Sequence, residues 1–168
     1  MTATTPIEIG PLEPRHWERV RDIYLEGLTT GEASFETSAP DWADWDGAHL
    51  ARPRLVAVRS NRVVGWVALC PISPRQCYAG VAEVSIYVAS EARGQGVGRL
   101  LLEEAVRASE KAGIWTLQAV VFPTNVGSIR LHEACGFRVV GCRQRIAQQN
   151  GAWRDTLLLE RRSTIVGV

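Results

Sequence analysis

Apolar positions along this chain recur at two periods, and the switches between them outline the elements. Ile7 and Ile9 alternate with polar neighbours in a short first strand, closed by Gly10-Pro11. From Glu13-Pro14 the period lengthens, so that Trp17, Val20, Tyr24 and Leu28 share one helical face opposite Arg15, Glu18, Arg19 and Asp22. Residues 29–40, TTGEASFETSAP, read as a loop whose one aromatic, Phe35, is either a plug beneath it or a pocket wall. Residues 41–52 hold Trp42, Trp45 and Leu50 and read as a short helix capped by Asp41. Residues 55–58 and 63–70 are two strands of a hairpin through Ser60-Asn61-Arg62, and the prolines at 71 and 74 mark a loop.

The next stretch, EVSIYVASEARGQGVGRLLL at 83–102, changes period within itself. Val84, Ile86 and Val88 alternate with Ser85 and Tyr87 as in a strand. Val97, Leu100, Leu101 and Ala105 then cover one side of a helix that stops near Lys111-Ala112-Gly113. Residues 116–122 form another apolar strand, and Pro123-Thr124-Asn125 opens a helix through Ala134 that Gly136 ends. Residues 137–140 and 153–159 make a last antiparallel pair around an Asn150-Gly151 turn. After Arg162 there is no readable pattern. Strands precede, separate and follow the helices, which predicts one α/β domain over residues 1–168, core about 7–162, around a mixed sheet.

Composition narrows the partners. Nineteen basic residues against eighteen acidic ones leave a net charge of +1, which gives no field for nucleic acid or a membrane surface. The four cysteines form no Cys-x-x-Cys pair and the start of the chain shows no secretory leader, so reduced thiols and a cytoplasmic location are expected. No apolar run approaches a membrane span, and no metal site is expected.

The candidate chemistry lies between the central strand and helix. In Arg93-Gly94-Gln95-Gly96-Val97-Gly98 three glycines alternate where a strand turns into a helix. Such a turn leaves backbone N–H groups unpaired at the positive end of the helix dipole, which makes an anion site built mostly of backbone. A P-loop would follow its last glycine with Lys-Ser/Thr, whereas Gly98 is followed by Arg99-Leu100. A dinucleotide fingerprint would read Gly-x-Gly-x-x-Gly. The bland alternative is a helix entry that uses glycine only for a tight turn.

The segment VSIYV at 84–88 followed by RGQGVG at 93–98 resembles the acetyl-CoA-binding segment of the GNAT superfamily of N-acetyltransferases. NVGSIRLHEACGF at 125–137 resembles that superfamily's next helix and its Gly-Phe ending. A narrower likeness is to the phosphinothricin, methionine sulfoximine and methionine sulfone acetyltransferases. It is carried by Glu83 before the central strand, Leu131-His132-Glu133, Gly151-x-Trp153-x-Asp155 and the Phe35-Glu36-Thr37 loop. The resemblance implies a mostly antiparallel sheet splayed at the central strand, acetyl-CoA as cosubstrate, a small amino-acid-like amine as acceptor, and a homodimer with its active site near the interface. Another amine (a polyamine, an aminoglycoside or a protein N-terminus) and a CoA-binding module without turnover are the alternatives.

Acetyl transfer needs a neutral amine, so a base helps near neutral pH. The resemblance puts Glu83 on the substrate side, acting directly or through water; otherwise it is a plain strand-end carboxylate. It also places the CoA arm and the oxyanion against the backbone of Ile86, Tyr87 and Val88, and the pyrophosphate on residues 93–99, with the Arg93 and Arg99 charges secondary. Asn125 and Ser128 open the late helix, where Asn125 is a ligand of the arm or substrate, or a simple cap. His132 stands where much of the superfamily has a proton-donating tyrosine, and is either an acid or structural. For the acceptor, Arg75 is the candidate partner of a carboxylate, with Phe35, Tyr78, Val84 and Ser85 around the substrate.

Overall fold

A computed structural model of the chain describes residues 5–168. The elements run β1 (Glu8–Pro11), α1 (Trp17–Leu28), α2 (Trp42–Ala48), β2 (Arg54–Arg59), β3 (Arg62–Pro71), β4 (Val81–Val88), α3 (Val97–Lys111), β5 (Thr116–Val121), α4 (Val126–Ala134), β6 (Arg138–Gln149) and β7 (Ala152–Arg162). The seven strands form one sheet in the order β1-β2-β3-β4-β5-β7-β6. Every neighbouring pair is antiparallel except β4 and β5. The expected mixed, mostly antiparallel sheet is therefore present.

Strand alternation divides the core between the two faces of the sheet. On β3, Gly65 faces α3, where Val97 and Leu101 come close enough that a Cβ would meet Leu101 at 2.9 Å. Trp66 faces the other way, 6.0 Å from Tyr24 of α1 and 5.7 Å from Trp45 of α2 between ring centres. Val20, Ile23, Trp45, Trp66, Leu101 and Leu102 are all buried. Burying such side chains contributes about 1.5–3 kcal/mol each.

Three local expectations change. Gly10-Pro11 lies inside β1 rather than closing it, which an edge strand tolerates because one side needs no ladder donor. The helix expected over 41–52 ends at Ala48, since His49 is already extended. Residues 137–140 are the beginning of a twelve-residue strand, β6. As the outer edge of the sheet β6 is exposed almost throughout, so no alternation marks it. It is also bulged between Arg143 and Ala147, where Arg145 takes φ 48° and its N–H donates to Asp155 Oδ1 at 2.8 Å. The unpatterned tail is held by one guanidinium: Arg162 donates to the carbonyls of Trp115, Ser163, Val166 and Gly167.

Candidate active site

The parallel seam between β4 and β5 is only three pairs long: Val81 with Thr116, Ala82 with Leu117 and Glu83 with Gln118. Beyond Glu83 the strands part. β4 continues against β3 to Val88, while β5 continues against β7 to Val121. The wedge between them is a cavity of about 760 Å³ lined by Glu83–Val88 on one side and Ala119–Phe122 on the other. The backbone groups of β4 that a neighbour strand would otherwise pair face this space, so it suits a ligand carrying amides of its own.

The glycine turn closes one end of the wedge. Gly94 and Gly96 take φ of 72° and 83°, the left-handed region where other residues are strained, and nothing lies within 4 Å of where their Cβ atoms would stand. Leu100 N–H bonds the Gly96 carbonyl at 3.1 Å, whereas the amides of Gly94 to Arg99 have no acceptor among the described residues. Arg93, Gly94, Gly96, Val97, Gly98 and Arg99 line the cavity. Gln95 does not: its side chain accepts from Arg59 at 2.5 Å and donates to the Glu91 carbonyl at 2.8 Å. Among the expected contacts of the CoA arm, Ile86, Tyr87, Val88, Asn125 and Ser128 all line the wedge.

Glu83 sits at the point where the strands part. Its Oε2 accepts from Gln118 Nε2 at 2.8 Å, which fixes the carboxylate and leaves Oε1 without a partner among the described residues. Gln118 is a positioning group that the strand pattern did not single out, because cross-strand register is not readable from local periodicity.

His132 is buried, 2% exposed, and lines the same cavity. Its Nδ1 lies 2.7 Å from the Ser128 carbonyl, an atom that only accepts, so Nδ1 carries the proton. Burial then lowers its pKa from the ordinary 6.5, which keeps the ring neutral at pH 7 with a bare lone pair on Nε2. In that state the one ring proton is held at Nδ1 by the Ser128 carbonyl, and Nε2 carries none. Nε2 and the buried Oγ1 of Thr156, another lining residue, have no partner among the described residues. Asn125 proves to be the cap of α4: its Oδ1 accepts from Ser128 N–H at 3.2 Å and its Nδ2 donates to the Glu32 carbonyl at 3.1 Å.

That last bond belongs to a clamp. Residues Glu32 to Phe35 form a wall of the cavity, with Phe35 edge-on to Phe122 at 4.9 Å, so Phe35 is a pocket wall. Arg154 of β7 reaches across to Glu32 Oε2 at 3.1 Å and stands 4.0 Å over the Phe122 ring. A second cavity of about 500 Å³ opens beside Tyr24, Trp45 and Trp66, and shares Ser34, Glu83, Ser85 and Tyr87 with the first. Val84 lines the first cavity and Ser85 lines both. Arg75 and Tyr78 line neither cavity. They are exposed on the loop between β3 and β4, with the guanidinium 5.6 Å from the Tyr78 ring.

The profile of the Acetyltransferase (GNAT) family matches residues 17–137. The chain belongs to that family. A phosphinothricin N-acetyltransferase of Alcaligenes faecalis is 36% identical over 147 residues, covering 83% of this chain and 74% of that one. An L-methionine sulfoximine/L-methionine sulfone acetyltransferase of Pseudomonas paraeruginosa is 29% identical over 144 residues, 82% and 84% of the two chains. The crystal structure of a GNAT superfamily phosphinothricin acetyltransferase from Sinorhizobium meliloti in complex with AcCoA superposes with a TM-score of 0.86 at 27% identity, covering 96% of this chain and 90% of that one. This GNAT chain is an acetyltransferase that uses acetyl-CoA, and the unpaired cradle amides and open β4 edge fit such a cosubstrate. Among the described residues no helix is long and apolar enough to cross a membrane, and no cluster of metal-ligating side chains occurs.

Proposed function

We propose that the chain transfers acetyl from acetyl-CoA to the amino group of a small amino-acid-like molecule of the phosphinothricin, methionine sulfoximine or methionine sulfone type. The observation that carries the mechanism is the position of Glu83, which borders both cavities with one oxygen held by Gln118 and the other free. Acetyl-CoA supplies the acetyl group as a thioester. Glu83 accepts a proton from the acceptor's ammonium, directly or through one water, and so exposes the nitrogen lone pair. The amides of Gly94 to Arg99 hold phosphate, and the β4 backbone near Tyr87 and Val88 orients the arm and donates to the developing negative oxygen. Arg75, the cation expected for the acceptor's carboxylate, stacks on Tyr78 outside both cavities and is given no part in this mechanism.

The acceptor class is supported by the names of the relatives. A homodimer is supported by the apolar surface of the last hairpin, where Val139, Val140, Ile146 and Trp153 are exposed. A cytoplasmic location agrees with four cysteines that are all free.

Thiol release from acetyl-CoA, measured over a panel of amines, tests the acceptor class. Glu83→Gln tests the base: acetyl-CoA binding by calorimetry is retained while kcat falls by roughly 10²–10⁴. Unchanged turnover removes Glu83 from the mechanism, and lack of acetyl-CoA binding by the parent protein removes the mechanism altogether.

A further inference from the structure

Gly94 and Gly96 allow the turn before α3 its left-handed backbone, but they do not impose it. Glycine populates both signs of φ readily, and nothing packs within 4 Å of where their Cβ atoms would stand. Residues 93–96 are all exposed, so burial does not hold the turn either. Left to the glycines alone, the amides from Gly94 to Arg99 would sample many directions. A phosphate that gathered them would lose affinity to the entropy of ordering the turn. Another part of the chain has to hold the cradle in shape.

The residue between the two glycines has the contacts for it. Gln95 is the one member of residues 93–99, apart from Leu-free spacing, that turns its side chain out of the cavity. Its Oε1 accepts from Arg59 Nη1 at 2.5 Å, and its Nε2 donates to the Glu91 carbonyl at 2.8 Å. Both ends of the amide are used, so one side chain ties the turn to two other parts of the fold.

Those two parts are themselves fixed. Arg59 is the last residue of β2, on a hairpin whose Val56, Ala57, Val63 and Val64 are buried. Glu91 lies in the 3-10 turn Ser90–Ala92 that follows β4. Arg19 of α1 donates to Glu91 Oε1 at 2.8 Å, Glu26 Oε2 accepts from Ser90 N–H at 2.9 Å, and Ala92 is fully buried. The cradle is thus tethered from firm ground on both sides.

We propose that Gln95, fixed by Arg59 and the Glu91 carbonyl, is a positioning residue that presets the phosphate cradle before acetyl-CoA arrives. It acts through the amides on either side of it rather than on the cosubstrate. The inference rests on the phosphate role given to those amides above.

Two donors test it: acetyl-CoA, and S-acetylpantetheine, which keeps the thioester and the arm but carries no phosphate. Gln95→Ala leaves both glycines in place and removes both bonds; the side chain is exposed, so folding is not at stake. It is expected to raise KM for acetyl-CoA about three- to tenfold with kcat within about twofold, the low end for two hydrogen bonds because both are solvent-accessible. The advantage of acetyl-CoA over S-acetylpantetheine in kcat/KM narrows by the same factor. Arg59→Ala gives part of that loss, and Arg59→Lys, which keeps a donor, gives less. In the double variant the losses overlap, so that Arg59→Ala costs less than about twofold once residue 95 is alanine. An unchanged KM for acetyl-CoA in Gln95→Ala overturns the positioning role. An equal loss for both donors overturns it too, since it reports a general weakening of the site. Fully additive losses overturn the tie through Arg59, whose charge then acts on phosphate by itself. If the parent protein uses both donors equally well, the phosphate role of the amides fails, and the positioning role with it.

Discussion

Replacing Arg154 with methionine should loosen one wall of the site without unfolding the protein. The guanidinium donates to Gln149 Oε1 at 2.7 Å, to Glu32 Oε2 at 3.1 Å and to the Gly31 carbonyl at 3.3 Å, and stands over Phe122. Its side chain is 23% exposed and that of Glu32 44%, so the ion pair is screened and contributes at most about 0.5–1 kcal/mol. The cation–π contact adds about 0.5–1 kcal/mol. The two hydrogen bonds to the neutral Gln149 and Gly31 oxygens, both partly solvent-accessible, add about 0.5 kcal/mol each, toward the low end of the usual range. The total, about 2 kcal/mol, corresponds to a factor of roughly 30 in a local opening equilibrium. The clamp joins residues 31–35 to Phe122 and β7 and touches neither the glycine cradle nor Glu83, so opening should raise acceptor KM by up to ~30-fold. Because Glu83 is untouched, kcat changes by less than about twofold on the same reasoning. Initial-rate kinetics over acceptor concentration measure this, and a thermal melt supplies the control. If the same 2 kcal/mol were lost from global stability, Tm would fall by roughly 4–8 °C for a chain of this size. A drop of that size with acceptor KM unchanged would refute the clamp and make Arg154 an ordinary staple. Arg154→Lys, which keeps the charge but not the planar fork, should fall between.

Gly27→Ala should destabilise the protein by about 1–3 kcal/mol in denaturant titration, because the new Cβ would lie 2.6 Å from the Tyr87 ring, itself held between Trp66 and Tyr24. A neutral or stabilising result would mean that the ring moves aside freely. Stability should also fall as pH drops from 7 toward 5. The pKa values of His16, His49 and His132 are lowered, chiefly by burial, so below the ordinary 6.5 the unfolded chain binds protons that the folded chain does not. Their contribution is complete above 6.5 and is lost as pH falls toward the folded values. Chemical denaturation at pH 7 and pH 5.5 reads the difference, and a midpoint independent of pH there would sink the argument.

The elements whose residues answer to one local rule were legible in the sequence. α1 shows a buried stripe at helical spacing, β4 alternates, and the glycines before α3 have the left-handed backbone that their pattern implies. Elements set by long-range pairing were not. β6 is defined by its register with β7 and has almost no buried face of its own to leave a mark. The same division holds within the site. Glu83 stands out as an acidic residue at a strand start, but its partner Gln118 lies 35 residues away and is selected by the register of a three-pair parallel seam. Asn125 was legible as a possible cap because capping is local. Trp66, Glu36 and Asp44 could not be assembled into a pocket, since helix, loop and strand supply them from separate parts of the chain. Arg75 carries a suitable charge for a carboxylate, yet its loop keeps it outside both cavities.

A single event in the sheet, the parting of β4 and β5 after Glu83 and Gln118, accounts for the rest of the site. Had the parallel ladder run on to Val88, the backbone groups of residues 84–88 would be paired to protein and no edge would face the cosubstrate. Glu83 would then lie mid-ladder between neighbouring strands, with neither cavity reaching it. Because the ladder stops where it does, its last rung serves two purposes. Gln118 orients the carboxylate from the paired side, and the free Oε1 faces the unpaired side where donor and acceptor meet. Each strand keeps its outer partner beyond the seam, β4 with β3 to Val88 and β5 with β7 to Val121. The backbone hydrogen bonds given up at the wedge belong to the facing edges of both strands, and those on β4, beside the glycine turn, are available to a ligand arm that pairs with it as a strand would.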